Sequence, residues 1–558
     1  MANGFDQIRI QFDNGEEELF FKDTQVRNIL KKHKEYSDND AFLGALVNNT
    51  VVSLTYPVEV DSTVKPLTIE NSHGWRIYRD SVAFVLTKAV FELFPQYKLE
   101  IRHSLESGYY CTLDGVEENI QITDLLLKIE FYMHQMVSEK IPIVRKNLYL
   151  ADALYHFASR LREDKCDLLR FQNPSKVPVY QCGNFLDLAH GVLTDNTKIL
   201  SDFRIFKYEN GFILQFPDRE APHKFSTFKG SKSLFNIFKS YKEWGKTINL
   251  KTVGHLNEII VRGKYEELIE IEEAYQEKRI AEIADKVAEK KETLKWVLIS
   301  GPSSSGKTTF AHRLSTQIKV NGIMPIIVSV DNYFVDRHLT PLDEHGNYDF
   351  EHIDTIDLPL LHEHLSLLDK GETIEPPVFD FTEGKKYKSG KKLCLKDNQI
   401  AIIEGIHSLN PRMTETLHPD RKFCIYINAL TQLNLDLNTR ISTTDNRLIR
   451  RIVRDHRTRG NRALATLKMW PSVRNGEKKW IFPFQHNANC AFSSAQNYEL
   501  AVLKPFVEPL LAEIKPWHEQ YADAQRLQEF LRIFSTAPVT PIPYHSLVRE
   551  FVGGGILG

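Results

Sequence analysis

The run Gly301-Pro302-Ser303-Ser304-Ser305-Gly306-Lys307-Thr308 fits G-x-x-x-x-G-K-[ST]. Such a loop works only between a strand and a helix, because its backbone N–H groups must close around phosphate oxygens at a helix N-terminus. Both flanks are present. The apolar stretch Trp296–Ser300 leads in, and Phe310, Leu314 and Ile318 lead out at helical spacing. Further strand candidates at Pro325–Val330, Gln399–Glu404 and Phe423–Asn428 alternate with helical segments. That alternation predicts a doubly wound parallel sheet with crossover helices. Lys307 is placed to reach the β- and γ-phosphates and Thr308 to hold Mg²⁺. Gly301, Ser303, Ser304, Ser305, Gly306 and Thr309 complete the nucleotide site.

A phosphate loop alone does not distinguish hydrolysis, switching and transfer. Asp331 ends the next strand, and the carboxyl ends of parallel strands face the ligand crevice. A carboxylate there can accept a hydroxyl proton from an acceptor substrate. The same residue also reads as an N-cap or a ligand to a magnesium-bound water. Glu404 ends the strand AIIEG and reads as an acid that holds a magnesium water. Arg447, Arg450, Arg451 and Arg454 fall at i, i+3, i+4 and i+7, one helix face, and Arg457, Arg459 and Arg462 continue it. These guanidiniums suit a lid that closes over a triphosphate. A basic face for RNA is the competing reading.

The remaining chain is longer than the loop and its sheet need. At 558 residues it is expected to hold about two to four domains. A net charge of -2 gives no overall bias toward nucleic acid or anionic membrane. Cys111, Cys166, Cys182, Cys394, Cys424 and Cys490 form no C-x-x-C pair, which fits reduced thiols in a cytoplasmic protein. The start MANGFDQIRI has neither a basic region nor an apolar run, so no secretory signal is expected, and no apolar run approaches membrane length.

Phe5 to Thr68 alternates as strands do, with Asn14-Gly15 as a turn, a helix near Val26–Lys32, and a strand–turn–strand from Ala45 to Val52. This is a β-grasp-like pattern. From Trp75 the pattern becomes mixed α+β, with helices expected over Asp80–Phe94 and Ile122–Ser138. Glu258 to Glu292 reads as one long charged connecting helix with an apolar stripe at Ile271, Ala274, Ile280, Ile283 and Val287.

The stretches GPSSSGKTTFA, VSVDNYF, DFEHIDTID, PPVFDF, IIEGIHSLN, RRIVRDHRTRG and AFSSAQNYELAVLKP occur in order between about Leu294 and Leu547. In these the chain resembles the uridine kinase/phosphoribulokinase family of P-loop kinases. The resemblance implies Mg²⁺-dependent transfer of the ATP γ-phosphate to a sugar or nucleoside hydroxyl. By position, Asp331 is then the catalytic base, Lys307 and Thr308 bind triphosphate and Mg²⁺, and Arg454 and Arg459 belong to the lid. Tyr333, Glu351, Phe379, Asp380 and Arg462 fall on the acceptor side. That side departs from the uridine pattern. Glu351-His352-Ile353-Asp354 stands for Asp-His-Pro-Asp, Phe379 replaces a tyrosine, Thr382-Glu383-Gly384-Lys385 lacks a histidine, and the lid carries extra residues from Trp470 to Trp480.

The front half has a second resemblance. Residues 5–68 look like a TGS domain, and about 75–230 resemble the editing-type domain of threonyl-tRNA synthetases, through GWRIYRDSVAFVLTKAV, ESGYYCTLDG and FLDLAHGVLTDNT. That family's metal-like cluster falls here on Asp80, Phe84, Ala189 and Leu193. Phe84 and Leu193 cannot ligate metal or activate water. A binding or regulatory module is therefore expected, and a mischarged-tRNA hydrolase is disfavoured. The expected organisation is 1–68 TGS-like, 69–257 degenerate editing-like, 258–292 connecting helix and 293–558 P-loop kinase-like. Two functions stand beside each other: an ATP-dependent kinase of a nucleoside or sugar-like molecule, and an RNA-associated regulator that uses nucleotide binding as a switch. A homo-oligomer, and RNA or a regulatory ligand at the front domains, stay open as partners.

Overall fold

A computed structural model describes residues 7–33, 36, 41–117, 120–230, 232–344, 346–396 and 398–556. The chain is a mixed α/β multidomain protein. The strand pattern expected from Phe5 begins at Gln7; residues 5 and 6 lie outside the described residues.

In Gln7–Phe12 the alternation puts Ile8, Ile10 and Phe12 inside and Gln7, Arg9 and Gln11 outside. This strand pairs antiparallel with Glu17–Phe21 and parallel with Ser62–Leu67. Gly44–Val47 and Thr50–Val52 complete a five-stranded sheet. Asn48 and Asn49 both take positive φ, 49° and 58°, as a two-residue hairpin of right-handed twist demands. The helix Val26–Lys32 lays Val26, Ile29 and Leu30 into the sheet's core.

The second unit holds the helices Ser72–Leu93 and Ile122–Ser138 against a four-stranded antiparallel sheet. Lys98–Leu105 is that sheet's edge strand, beside Gly108–Asp114. A three-stranded sheet, Ile143–Tyr149, Lys176–Cys182 and Phe185–Asp187, stands apart from it.

The C-terminal unit is built on five parallel strands in the order Met324–Ser329, Gln399–Glu404, Trp296–Ser300, Lys422–Asn428, Cys490–Ser493. Trp296–Ser300 is central and buried along its whole length, which explains its unbroken apolar run. All four expected strands are present to within a residue, and Cys490–Ser493 is the one the sequence pattern does not disclose.

The single helix expected over 258–292 is two helices, Val253–Val261 and Tyr265–Ala288. Gly263 breaks it at φ 71°, a left-handed geometry that closes one helix and redirects the chain. The stripe is also shifted. Ile271 is exposed, while Glu272, Glu273 and Gln276 are buried. The buried acids are satisfied by Asn497, Tyr498 and Ser546, and Arg313 binds Gln276 and Glu277. The helix is thus a packed wall of the C-terminal unit and not a connector. A boundary at 257 cuts the helix Val253–Val261, and Leu250, Val253 and Leu256 lie in one core with Leu433, Leu448 and Leu503.

The two halves meet through the kinase-like unit's hairpin Asn434–Arg440. Leu437 accepts from the Ile101 N–H at 2.9 Å, and Asn434 and Asn438 donate to Ile101 and Leu99 carbonyls at 2.8 and 3.0 Å. The hairpin therefore covers an otherwise open sheet edge. Asp436, fully buried at its turn, faces Lys165, His190 and Arg162 of the front half, and their charges hold its carboxyl well below the usual range against the cost of burial.

Candidate active site

The loop Gly301–Gly306 crosses the end of the strand Lys422–Asn428 so closely that a Cβ on Gly301 would lie 2.0 Å from the Ile427 carbonyl. Gly306, at φ 80°, turns the chain into the helix Lys307–Val320. Its N-terminal amides face the crevice at the sheet's carboxyl edge. The Ser304 and Ser305 hydroxyls are buried without a partner among the described residues.

Around this loop the structure gathers several of the expected residues. Lys307 is buried with its Nζ 3.2 Å from the Pro302 carbonyl. Burial lowers its pKa, and Asp331 is the strongest charge opposing that, followed by Glu404 and Glu351. Glu404 accepts from the Ser329 hydroxyl at 2.5 Å and lies 3.5 Å from Thr308 Oγ1. Burial, with the Asp331 charge beside it, pushes the Glu404 carboxyl up to about 7. Thr309 donates to Glu550, an acid from the C-terminal segment that the sequence pattern does not single out.

The arginine helix, Thr443–Thr458, is not a free basic face. Arg447 Nε donates to the Ser303 carbonyl at 2.9 Å, Arg450 to the Ser304 carbonyl at 3.3 Å, and Arg451 to the Ser303 hydroxyl at 2.8 Å. All three are buried and paired, with Glu477, Glu499 and Asp455 respectively. This corrects the mobile-lid and RNA-face readings for these three residues: burial of a guanidinium requires fixed partners, and they come from elsewhere in the unit. Arg454 and Arg459 share Asp455, and Arg459 lies over the Phe381 ring. Burial and the Arg454 charge lower the Arg459 guanidinium to about 10, the mark of cations crowded against too few anions.

The acceptor-side expectations divide. Glu351 is buried beside the loop, 3.8 Å from Arg451, with Oε2 unpartnered, and burial raises its carboxyl to about 7. Phe379 packs against Phe334 and Phe381, and its N–H reaches Asn332 next to Asp331. Tyr333 is not in the crevice. It is fully buried in the sheet's core, with its hydroxyl 2.9 Å from His364 Nδ1, because the turn after Asp331 sends it inward. Asp380 is exposed and caps its own turn by accepting from the Thr382 and Glu383 N–H groups. Arg462 is exposed at the N-cap of the next helix.

That next helix, Ala463–Trp480, contains the extra residues noted in the sequence and reaches the loop itself. Glu477 is fully buried and accepts from the Ser303 N–H of the phosphate loop at 3.2 Å. Arg447 and Arg474 neutralise it and hold its carboxyl below the usual range despite burial. One turn of the same helix presses Gly476 against Glu351: a Cβ there would lie 2.4 Å from the Glu351 Cβ. Trp480 meets His352 edge-on. The signal is legible in part, since Ala463, Thr466, Leu467, Trp470, Val473 and Glu477 share one buried face, and an acid on such a face needs a cation.

In the front half, Phe84 packs against Tyr180 and Phe185, and Leu193 is buried in the same core. Asp80 is half-buried, and desolvation raises its carboxyl, with Arg79, Arg76 and Arg440 opposing. Ala189 packs at the core's margin. Among the described residues no cluster of His, Cys, Asp and Glu fits a metal ion. No helix among them is long and apolar enough to cross a membrane.

The loop's fit to a nucleotide rests on its own geometry. It has a cradle that a Cβ would fill, two orphaned buried hydroxyls, and an amide that already holds an anionic oxygen. Thr308, Glu404, Ser329 and Asp331 are the hard oxygen donors that Mg²⁺ takes.

Residues 297–501 match the Phosphoribulokinase / Uridine kinase family. The N-terminal region is homologous to threonine–tRNA ligases. The enzyme of Desulforamulus reducens is 30% identical over 206 residues, 37% of this chain and 32% of the relative, and threonine–tRNA ligase 1 of Bacillus subtilis is 28% identical over 208 residues, again 37% and 32%. The chain thus spans about a third of the length of the curated relatives it matches. Among solved structures, a possible uridine kinase from Bacillus stearothermophilus matches at 19% identity and TM-score 0.25, over 38% of this chain and 97% of that one. D-glycerate 3-kinase from Cryptococcus neoformans matches at 13% and TM-score 0.22, over 46% and 87%.

Proposed function

We propose, from the phosphoribulokinase/uridine kinase family domain in residues 297–501, that the C-terminal unit transfers the γ-phosphate of ATP to a hydroxyl of a small nucleoside or sugar-like molecule. The observation that carries this reading is the meeting of Asp331 and Glu404 with Lys307 and Thr308 at the carboxyl ends of adjacent parallel strands. A phosphate loop that only switches has no need of a second carboxylate whose charge falls on the same lysine.

The division of labour follows from position. The loop amides and Lys307 hold the phosphates, with Ser304 and Ser305 free to donate. Thr308 and Glu404 would hold Mg²⁺, which when bound supplies neutralising charge between the phosphates. Asp331 orients the acceptor hydroxyl and takes its proton as the bond to phosphorus forms. Arg454 and Arg459, which share a single acid, offer surplus positive charge to the transferring group. Glu351 and Phe379 flank the acceptor. A buried Glu351 Oε2 without a partner suits an acceptor bearing a hydroxyl or N–H donor, as ribose and nucleobases do. The finer assignment, a uridine- or cytidine-like nucleoside, is the first to test.

Glu477 sits where an anionic oxygen of the nucleotide would take the Ser303 N–H. Nucleotide entry in this reading displaces its carboxylate and moves the helix Ala463–Trp480 off the loop. That helix, and not the anchored arginine helix, is the moving part.

The decisive experiment is ADP release by the full chain with Mg·ATP against a panel of nucleosides, sugars and sugar phosphates. One acceptor class is expected to stimulate turnover, and Asp331→Asn to lower kcat by about 10²–10⁴-fold with the fold intact. If no acceptor stimulates turnover, or the variant turns over normally, the transfer mechanism fails.

A further inference from the structure

A cavity of about 240 Å³ lies away from the phosphate loop, where the two halves of the chain meet. Its walls are the front-half strands Lys98–Leu105 and Gly108–Asp114, the helix Lys232–Thr247, and the segment from Thr431 to Asn434 that leaves the parallel sheet. Neither half forms it alone.

Its chemistry is uneven in a way that packing does not explain. Three side-chain atoms at its lining, His103 Nε2, Thr112 Oγ1 and Thr431 Oγ1, have no hydrogen-bond partner among the described residues. His103 and Thr112 are more than nine-tenths buried. Buried polar atoms are nearly always paired, so three orphans around one cavity point to something that enters it. The His103 ring stacks flat on Phe238, 3.6 Å between centroids and 5° between planes, which fixes its orientation. Burial, reinforced by Arg102, Arg440 and Lys242, keeps that imidazole neutral, so Nε2 can donate or accept one hydrogen bond.

Charge sets the class of ligand. Arg102, Lys239, Lys242 and Lys246 line the cavity against only Asp114 and Glu243. Behind the wall Glu100 is paired with Lys242 and accepts from Arg102, but through Nε alone, at 3.0 Å. The terminal nitrogens of Arg102 are the part of a guanidinium that forks onto a phosphate. Lys239 and Lys246 are exposed at the mouth. The excess positive charge suits a dianionic head, and the hydroxyls and imidazole suit a small polar body.

We propose that this cavity binds a small metabolite carrying a phosphate monoester, held jointly by both halves of the chain. Its seat is wired to the phosphate loop. From the same helix Tyr241 donates to the Ser493 carbonyl at 3.1 Å, Ser493 Oγ donates to Leu430 beside Thr431, and Ser494 takes a bond from Arg450, which also holds the Ser304 carbonyl. A ligand that orders this wall therefore stiffens one support of the loop.

The test is calorimetric titration of the full chain carrying Lys307→Met, which removes phosphate binding at the loop, so that failure here and failure of the kinase reading are separable. The probes are glycerol 3-phosphate, inorganic phosphate, malonate and glycerol. Saturable binding of glycerol 3-phosphate tighter than about 1 mM is expected, with glycerol silent. Adding Lys239→Gln and Lys246→Gln at the exposed mouth should weaken it about tenfold, and Thr431→Val should weaken it further. The proposal is overturned if neither phosphate probe binds, if the mouth variants bind as well as the parent, or if malonate binds as tightly as glycerol 3-phosphate.

Discussion

Glu477→Gln separates two roles for the covering helix. The side chain keeps its shape and can still accept from the Ser303 N–H, 3.2 Å away. What it loses is the charge that Arg447 and Arg474 share. Both guanidiniums are largely buried, so the cost is that of disrupting a buried ion pair, about 3 kcal/mol. The gain lies with the nucleotide. Were the carboxylate to stay, a phosphate oxygen on the same amide would sit about 4 Å or less from it, and two such charges repel by about 4 kcal/mol at an effective dielectric of about 20, which is what drives the displacement. Relief of even a third of that, with two arginines released toward phosphate, gives at least about tenfold tighter nucleotide. The expected result is a ligand-free chain that unfolds at lower denaturant and an ADP complex that recovers most of the difference. Titration with a fluorescent ADP analogue and denaturation with and without Mg·ADP measure both sides. An intact variant that binds ADP more weakly would show that Glu477 supports the arginine cluster and does not stand in for phosphate, and the displacement step would be wrong.

Other consequences follow from single residues. Burial raises Glu404, Glu351 and Glu272 to about 7, against an ordinary value of 4.5, so the native chain binds more protons than the unfolded one between these values. Stability from these groups is therefore full below about pH 4.5 and falls as pH rises toward 7. Buried histidines such as His103 and His407 act in the opposite sense over the same window, so the test is the difference between parent and Glu351→Gln: the parent's denaturation midpoint should fall more, or rise less, from about pH 4.5 to 7 than the variant's, and equal slopes would contradict the burial argument. In turnover, the acid limb of kcat/KM should lie near 7 at low Mg²⁺ and move to lower pH as Mg²⁺ rises, since a cation at Glu404 favours its ionised form. Gly301→Ala puts a methyl 2.0 Å from the Ile427 carbonyl, so nucleotide affinity should fall at least about tenfold, read by the same ADP titration. Asp436→Asn strips the fully buried Lys165 of one of its two acids and should cost about 3 kcal/mol by urea denaturation. An unchanged midpoint there would mean that the hairpin Asn434–Arg440 does not hold the halves together.

Local patterns carry most of the elements. Trp296–Ser300 and Gln399–Glu404 are legible because a central parallel strand is apolar throughout, and Ile122–Ser138 because its period is helical. The loop is legible because its glycines answer to backbone geometry that no other residue meets. Tyr333 lies away from its expected place because chain position after Asp331 does not say which way a short turn points its side chain. The arginine face departs from expectation for a related reason: a cationic stripe looks the same whether water or buried acid lies opposite.

By itself the sequence determined the phosphate loop, the strands that frame it, the carboxylates at their ends, and the apolar side chains at Phe84 and Leu193. Those are matters of residue type and short spacing, set by backbone sterics and hydrogen bonding within a few residues. Tertiary structure alone decided that Glu477 lies on the Ser303 amide, that Glu550 reaches Thr309, and that Asp436 anchors the front half. Each joins residues far apart in the chain, and each pairing exists only because burial makes an unpaired charge too costly to leave alone.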